Sequence, residues 1–197
     1  MILAIDTSSA IAVAIIDAAG TTVASRSEFA PRGHSELLAG LVRDALADAG
    51  VARAERVVVG TGPAPFTGLR VGLVTARTLA HAWGVPVDGV CSLDAVGLAH
   101  AGEVTVVADA RRKEVYWATY RDGVRLDGPH VSAPGDVTVL GTAVGRGAML
   151  YPDAFPGASA ADPDPALLVR AADLAGGPGT LPTEPLYLRR PDVHGAP

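Results

Sequence analysis

Cysteine and lysine are nearly absent from this sequence of 197 residues, which holds only Cys91 and Lys113. A single cysteine excludes an internal disulfide and points to a reducing compartment. No stretch approaches the roughly 18 uninterrupted apolar residues of a membrane span. The apolar run at the N-terminus stops at Asp6, with no basic segment before it. We therefore expect a cytoplasmic protein without a signal peptide or a membrane span.

Positive charge is also scarce, because 16 Lys and Arg stand against 21 Asp and Glu and leave a formal net charge of -5. Nucleic-acid surfaces need clustered Lys and Arg, so this balance argues against such a surface on this chain. The basic turn Arg111-Arg112-Lys113 could touch RNA or a phosphate, although a run of three charges is usually a solvated turn.

Apolar residues, at 49% of the chain, are enough for a real core. Strands are predicted at 2–5, 11–16 and 21–26, a helix at 34–49, and then alternating strands and helices. This mixture predicts an α/β fold with a mixed sheet. The pattern of apolar strand, Asp and turn recurs with Asp109 in the place of Asp6. It predicts two related subdomains, 1–100 and 101–197.

The second subdomain is predicted to be the smaller one, since eleven of the fifteen prolines follow residue 121. Prolines leave room there for few long elements beyond Val137–Val144 and a helix over Pro165–Ala175.

The stretch Glu55–Gly84 is the organising segment of the sequence. It predicts a buried strand over Arg56–Gly60 and a loop. A helix follows that Thr67 caps and Gly84 ends. At 100° per residue this helix carries one line of small side chains, formed by Gly68, Gly72, Ala76 and Ala80. Leu69 is among the larger apolar residues that flank this line, which we interpret as a contact surface rather than a catalytic site.

The sequence matches none of the catalytic or cofactor-binding motifs that we considered. The central loop lacks the third glycine of a dinucleotide fingerprint and the Lys of a Walker A loop. No two histidines lie three or four residues apart, so a helical metal pair is absent. The turn Asp6-Thr7-Ser8 is a weak nucleotide candidate, because it lacks the glycine that lets a backbone approach phosphates. We predict no catalytic residue, no metal and no cofactor.

Six segments, in chain order, resemble the bacterial TsaB (YeaZ) family of tRNA threonylcarbamoyladenosine biosynthesis proteins. They are ILAIDTS (2–8), RGHSELL (32–38), GPAPFTGLRVG (62–72), SLDA (92–95), DAR (109–111) and PLYLR (185–189). The resemblance implies an actin-like, hexokinase-like (ASKHA) fold of two subdomains with mixed sheets, the second one shortened.

The resemblance also implies a non-catalytic scaffold or activator subunit. Such a subunit pairs with the transferase TsaD and, with the ATPase TsaE, supports N6-threonylcarbamoylation of adenosine 37 in tRNAs that read ANN codons. We expect such a subunit to engage tRNA indirectly, with a direct contact left open, and to form a homodimer when its partner is missing. In the TsaD relative a histidine pair binds a metal, and the same register here gives Ser92 and Val96, which cannot ligate one.

The partner interface that we predict uses the two helices of the first subdomain. Its residues are His34, Leu38, Leu41, Gly68, Leu69, Gly72, Ala76 and Ala80. In the central loop, Ala64 and Pro65 replace the family's usual Gly-Ser. The alternative function is an independent ATP-dependent phosphotransferase or metallopeptidase-like enzyme of the actin-like superfamily.

Overall fold

Five strands from the first half of the chain form one mixed sheet. The computed structural model describes residues 1–29 and 34–189, except for the side chains of His34 and Ser35. The strands are β1 (Ile2–Asp6), β2 (Ile11–Ile16), β3 (Thr22–Glu28), β4 (Arg56–Gly60) and β5 (Val87–Val90), in the order β3-β2-β1-β4-β5. β1, β2 and β3 pair antiparallel, whereas β1, β4 and β5 pair parallel.

Helices cover both faces of this sheet. Helices α1 (His34–Asp48) and α2 (Phe66–Trp83) pack on the face that carries Leu3 and Ile5. The opposite face, which carries Ala4, is covered by helix α5 (Pro165–Ala175). Because β1, β2 and β4 are buried on both faces, they are continuous apolar runs rather than alternating ones.

A second mixed sheet repeats the topology of the first. Its strands are β6 (Glu103–Asp109), β7 (Val115–Arg121), β8 (Val124–Ser132) and β9 (Thr142–Val144), in the order β8-β7-β6-β9. As in the first sheet, three antiparallel strands are followed by one parallel to the first of them. The α/β class is therefore confirmed, with two mixed sheets of which the second is smaller.

Helix α3 (Ser92–Leu98) lies between the two sheets, and the short helix α4 (Arg146–Met149) packs Ala148 on the second sheet. Helix α3 packs Leu93 and Val96 on the second sheet and Ala95 against α5. The boundary that we expect near residue 100 falls between α3 and β6, and this division stays a prediction. Helix α5 lies in the range 101–197 but packs on the first sheet.

Three local expectations were wrong. Thr67 does not cap α2, because the helix begins at Phe66 with Pro65 as its N-cap residue and no capping side chain. Only Thr142–Val144 of the stretch expected at Val137–Val144 is a strand. β8 was missed because Pro129 suggested a loop, but an edge strand with irregular register tolerates a proline. By contrast, Gly84 ends α2 in the left-handed conformation, as predicted.

Candidate functional site

The carboxyl group of Asp6, at the end of β1, is buried and fully engaged within the chain. One oxygen accepts hydrogen bonds from the backbone N–H of Ser8 (2.8 Å) and from its hydroxyl (2.6 Å). The other accepts from the hydroxyl of Ser92 (2.6 Å), the first residue of α3. Asp6 thus fastens the β1–β2 turn to the start of α3.

Burial raises the pKa of Asp6, and the hydrogen bonds from Ser8 and Ser92 oppose that shift. Gly60, at the end of β4, makes room for this carboxyl group. A Cβ at that position would overlap an oxygen of Asp6 and lie 2.6 Å from Ser92 Oγ. The glycine after the central strand therefore serves the interior of the protein, and no phosphate is needed to explain it.

Thr7 ties the same turn to helix α2. Its hydroxyl donates to the carbonyl of Gly68 (2.9 Å), one of the first residues of α2. A Cβ built on Gly72 would overlap Thr7 Oγ1 and lie 3.2 Å from Thr7 Cγ2. The absent side chain at residue 72 is thus what lets α2 approach the β1–β2 turn.

Between the two sheets lies a cleft of about 530 Å³, the central cleft. Its walls include Ser8 and Ser9 from the first hairpin and Asp109 and Arg111 from the second, together with Leu93, Val96 and other apolar side chains. Of the three nucleotide candidates, only Ser8 lines it, because Asp6 and Thr7 are buried. Nucleotide binding at this turn stays a prediction.

The charged groups at the central cleft are paired. Arg146 binds both carboxylate oxygens of Asp162, at 2.7 Å each, and Ser9 donates to the same carboxyl group at 2.7 Å. Arg111 pairs with Asp109 at 3.1 Å. The pKa of Asp162 is held below its usual range because the bonds from Arg146 and Ser9 outweigh its partial burial.

The buried side of α2 is where the structure corrects our interface prediction. Leu69, Gly72, Ala76 and Ala80 are all buried against the chain's own first sheet. Leu38 of α1 is buried in the same core. A close approach between helix and sheet needs small side chains, and this requirement explains the line that we interpreted as a contact surface. These five residues leave no surface for a partner.

Other members of the predicted interface remain accessible in part. Gly68 and Leu41 are half-buried, and the side chain of His34 lies outside the described part of the structure. The large apolar residues of these helices that are exposed are Leu37 (38% exposed) on α1 and Val74 (61% exposed) on α2. Sequence periodicity located the apolar positions but did not separate the inner face of α2 from the outer one.

The region that sequence reasoning missed is the segment 179–189, here called the C-terminal strap. Asp88 of β5, fully buried, accepts from the backbone of Gly179 (3.0 Å) and Leu181 (3.1 Å) and pairs with Arg56. Farther along, Leu186 N–H donates to the carbonyl of Thr61 (2.9 Å). Only the PLYLR resemblance marked this segment, since its contacts join residues about a hundred positions apart.

Comparisons with known proteins agree with this architecture. A family model described as TsaD, tRNA N6-adenosine threonylcarbamoyltransferase, matches residues 21–145. An uncharacterized protein of Mycobacterium leprae is 48% identical over 98% of this chain and 56% of its own length. The tRNA threonylcarbamoyladenosine biosynthesis protein TsaB of Escherichia coli is 35% identical over 61% of this chain and 54% of its own length.

The structure of YeaZ from Pseudomonas aeruginosa aligns with 95% of this chain and 99% of its own, with a TM-score of 0.79 and 30% identity. The chain belongs to the TsaB (YeaZ) family. This membership confirms the resemblance and, with the two sheets of matching strand order, the expected actin-like fold. The alignments span little more than half the length of the Mycobacterium leprae relative and of Escherichia coli TsaB.

Two structural features are absent from the described residues. Within 1–29 and 34–189, none of the helices combines the length and the apolar character that a membrane span requires. In the same part of the chain, no three His, Cys, Asp or Glu side chains are grouped so that they could hold a metal ion.

Proposed function

We propose that this chain is a non-catalytic subunit that supports N6-threonylcarbamoylation of adenosine 37 in ANN-decoding tRNAs. It would act with a TsaD homologue as the transferase and a TsaE homologue as the ATPase. Membership of the TsaB family supports this role, since the Escherichia coli relative carries the name of that biosynthetic pathway.

The observation that carries the proposal is the outer face of α1 and α2. Leu37 and Val74 are exposed there, and Leu41 and Val71 are half-buried. Exposed apolar side chains on neighbouring helices favour packing against another helical surface. We propose that this face, rather than the inner line of small residues, binds the TsaD homologue, and that two copies of this chain pair through it when the partner is missing.

The arrangement around Asp6 supports a non-catalytic role. Its oxygens are occupied by Ser8 and Ser92, and the Ser92 hydroxyl also accepts from the N–H of Gly62 (3.2 Å). Val96, one helical turn beyond Ser92, is a buried alkyl group that packs on the second sheet. The positions that correspond to the histidine pair of the TsaD relative therefore serve packing and internal hydrogen bonds.

Reconstitution tests the proposal. Purified TsaD and TsaE homologues, threonylcarbamoyl-adenylate and an ANN-decoding tRNA transcript are combined with and without this chain, and modified adenosine is measured by mass spectrometry. We expect modification only when the chain is present. Full modification in its absence would contradict the proposed role.

Val74→Arg tests the interface in the same reaction. It places a charge on the outer face without touching the core, so we expect loss of co-purification with the TsaD homologue and loss of stimulation. Val124→Arg, at an equally exposed position on β8 of the second sheet, is the matched control and should behave as the wild type. Equal pairing by the two variants would remove α2 from the interface.

A further inference from the structure

A strip of cations crosses from the first turns of α2, over the C-terminal strap, to the β6–β7 turn. We call it the basic strip, and its members are Arg70, Arg111, Arg112, Lys113 and Arg189. The turn and Arg189 together hold four cations and two carboxylates, Asp109 and Glu114. This surface is therefore positive, although the chain as a whole carries a formal net charge of -5.

Contacts join the strip into one surface. Arg189 pairs with Glu114 and donates to the carbonyl of Ala110 (3.2 Å), which fixes the strap to the β6–β7 turn. Two residues earlier in the strap, the hydroxyl of Tyr187 accepts from Arg70 Nε at 2.7 Å. The strap thus brings the cation of α2 and the cations of the turn onto the same side of the protein.

Two aromatic rings lie within the strip. The rings of Phe66 and Tyr187 stack with their centroids 4.5 Å apart, and the guanidinium of Arg70 lies 5.5 and 5.6 Å from those centroids. Tyr187 is 39% exposed. An exposed ring beside a guanidinium group is a platform on which an unpaired base can stack.

The backbone of the β6–β7 turn holds its cations in an uncommon conformation. Arg111, Arg112 and Lys113 have φ of 61°, 55° and 62°, the left-handed region that residues with a Cβ rarely adopt. Asp109 accepts from the N–H of Arg111 (2.7 Å) and Ala110 donates to the carbonyl of Glu114 (3.1 Å), which closes the turn.

Glycine or asparagine would close such a turn at a lower cost. Three long basic side chains in succession are therefore not explained by the turn itself. One of them is the only lysine of the chain. Within the described residues, neither Lys113 nor Arg70 has a carboxylate partner.

We propose that the basic strip binds the phosphodiester backbone of RNA and that the Phe66–Tyr187 platform receives an unpaired base. The inference rests on the proposed role in tRNA modification and goes beyond it. It assigns to this chain a direct contact with the substrate RNA, whereas the overall charge argued against a nucleic-acid surface and the family resemblance implied only an indirect role.

Salt-dependent binding of a fluorescein-labelled ANN-decoding tRNA transcript to the purified chain, followed by anisotropy, tests the inference. Each phosphate contact contributes about 0.7 to 0.9 to the slope of log K against log salt concentration. We expect Lys113→Gln and Arg70→Gln each to lower that slope by about 0.7 to 1. Tyr187→Leu should weaken binding about fivefold or more by removing the stacking platform.

Arg170→Gln is the matched control, since it removes one exposed positive charge from α5, on the opposite face of the first sheet. Its slope should equal that of the wild type. Lys113 is exposed and its side chain makes no hydrogen bond or ion pair within the described residues, so its substitution tests charge with little disturbance of packing. Circular dichroism melting of every variant confirms that binding is compared between folded proteins.

Three outcomes would overturn the inference: no saturable binding by the wild type at low salt, strip variants that bind like Arg170→Gln, or strip variants that lose only the TsaD homologue. The reconstituted reaction separates this failure from failure of the proposed function. If modification needs the chain but the strip variants leave both its rate and the KM for tRNA unchanged, the RNA-binding inference is refuted and the proposed function stands. If the strip variants weaken tRNA binding but modification proceeds without the chain, the proposed function is refuted and the RNA-binding inference stands.

Discussion

Gly72→Ala should destabilise the protein even though alanine is the better helix former. In an unhindered helix interior this change stabilises by about 1 kcal/mol. Here the new Cβ would overlap Thr7 Oγ1, whose hydroxyl donates to Gly68 at 2.9 Å. Overpacking costs about 1 to 3 kcal/mol and the displaced hydrogen bond about 1 kcal/mol. The opposing effects leave a net loss of about 1 to 3 kcal/mol.

Urea unfolding followed by circular dichroism measures this difference, and α1 offers a matched control. A Cβ on Gly40 would meet only the end of the Arg43 side chain, at 3.9 Å, so Gly40→Ala should stabilise by about 0.5 to 1 kcal/mol. Thr7→Ala removes the obstacle, and in that background Gly72→Ala should no longer destabilise. Stabilisation by Gly72→Ala alone, or additivity of the two changes, would refute the packing account.

Two more predictions concern buried carboxyl groups. Asp88→Ala leaves the buried guanidinium of Arg56 with the more exposed Asp173 as its carboxylate partner and releases the strap. The substitution should lower the free energy of unfolding in urea by about 3 to 5 kcal/mol and open the chain near residue 180 to limited proteolysis. The control Asp173→Ala should lower it less. An Asp88 variant as stable as that control would contradict this role. Because burial raises the pKa of Asp6 above its ordinary value of 3.8, its contribution to stability is present below that pH and is lost as the pH rises through the raised pKa. Asp6→Asn should therefore remove part of the decline in the free energy of unfolding above pH 4 in a pH series of urea titrations, and parallel pH profiles for the two proteins would show that Asp6 does not titrate in this way.

Local chemistry was sufficient to predict most of the elements of the first sheet. β2, β4 and α5 have the bounds that apolar periodicity predicted, and Gly84 ends α2 as its conformational freedom suggested. The second sheet was predicted less well because β8 contains Pro129. A proline is tolerated in an edge strand but not in a central one, and the local sequence does not show which position a strand takes.

The candidate sites show a similar limit. A helical projection of α2 gives the line of Gly72, Ala76 and Ala80 but not which neighbour covers it, since a sheet of the same chain and a partner helix demand the same small side chains. Likewise, the acidic and hydroxyl residues of the turn at Asp6 made it a weak nucleotide candidate from sequence. The hydrogen bond that Asp6 accepts from Ser92, 86 positions away, exists only once β1 and α3 have met.

The sequence by itself determined the class of fold, the repeated hairpin and the family, because strand and helix periodicity and short motifs are properties of neighbouring residues. Only the tertiary structure decided which side of α2 is open and where the charges gather. The basic strip draws on residues 70, 111–113 and 189, and a net charge of -5 conceals it. Surfaces of that kind are assembled by contacts between distant segments, so they cannot be read from the composition or the net charge of the sequence.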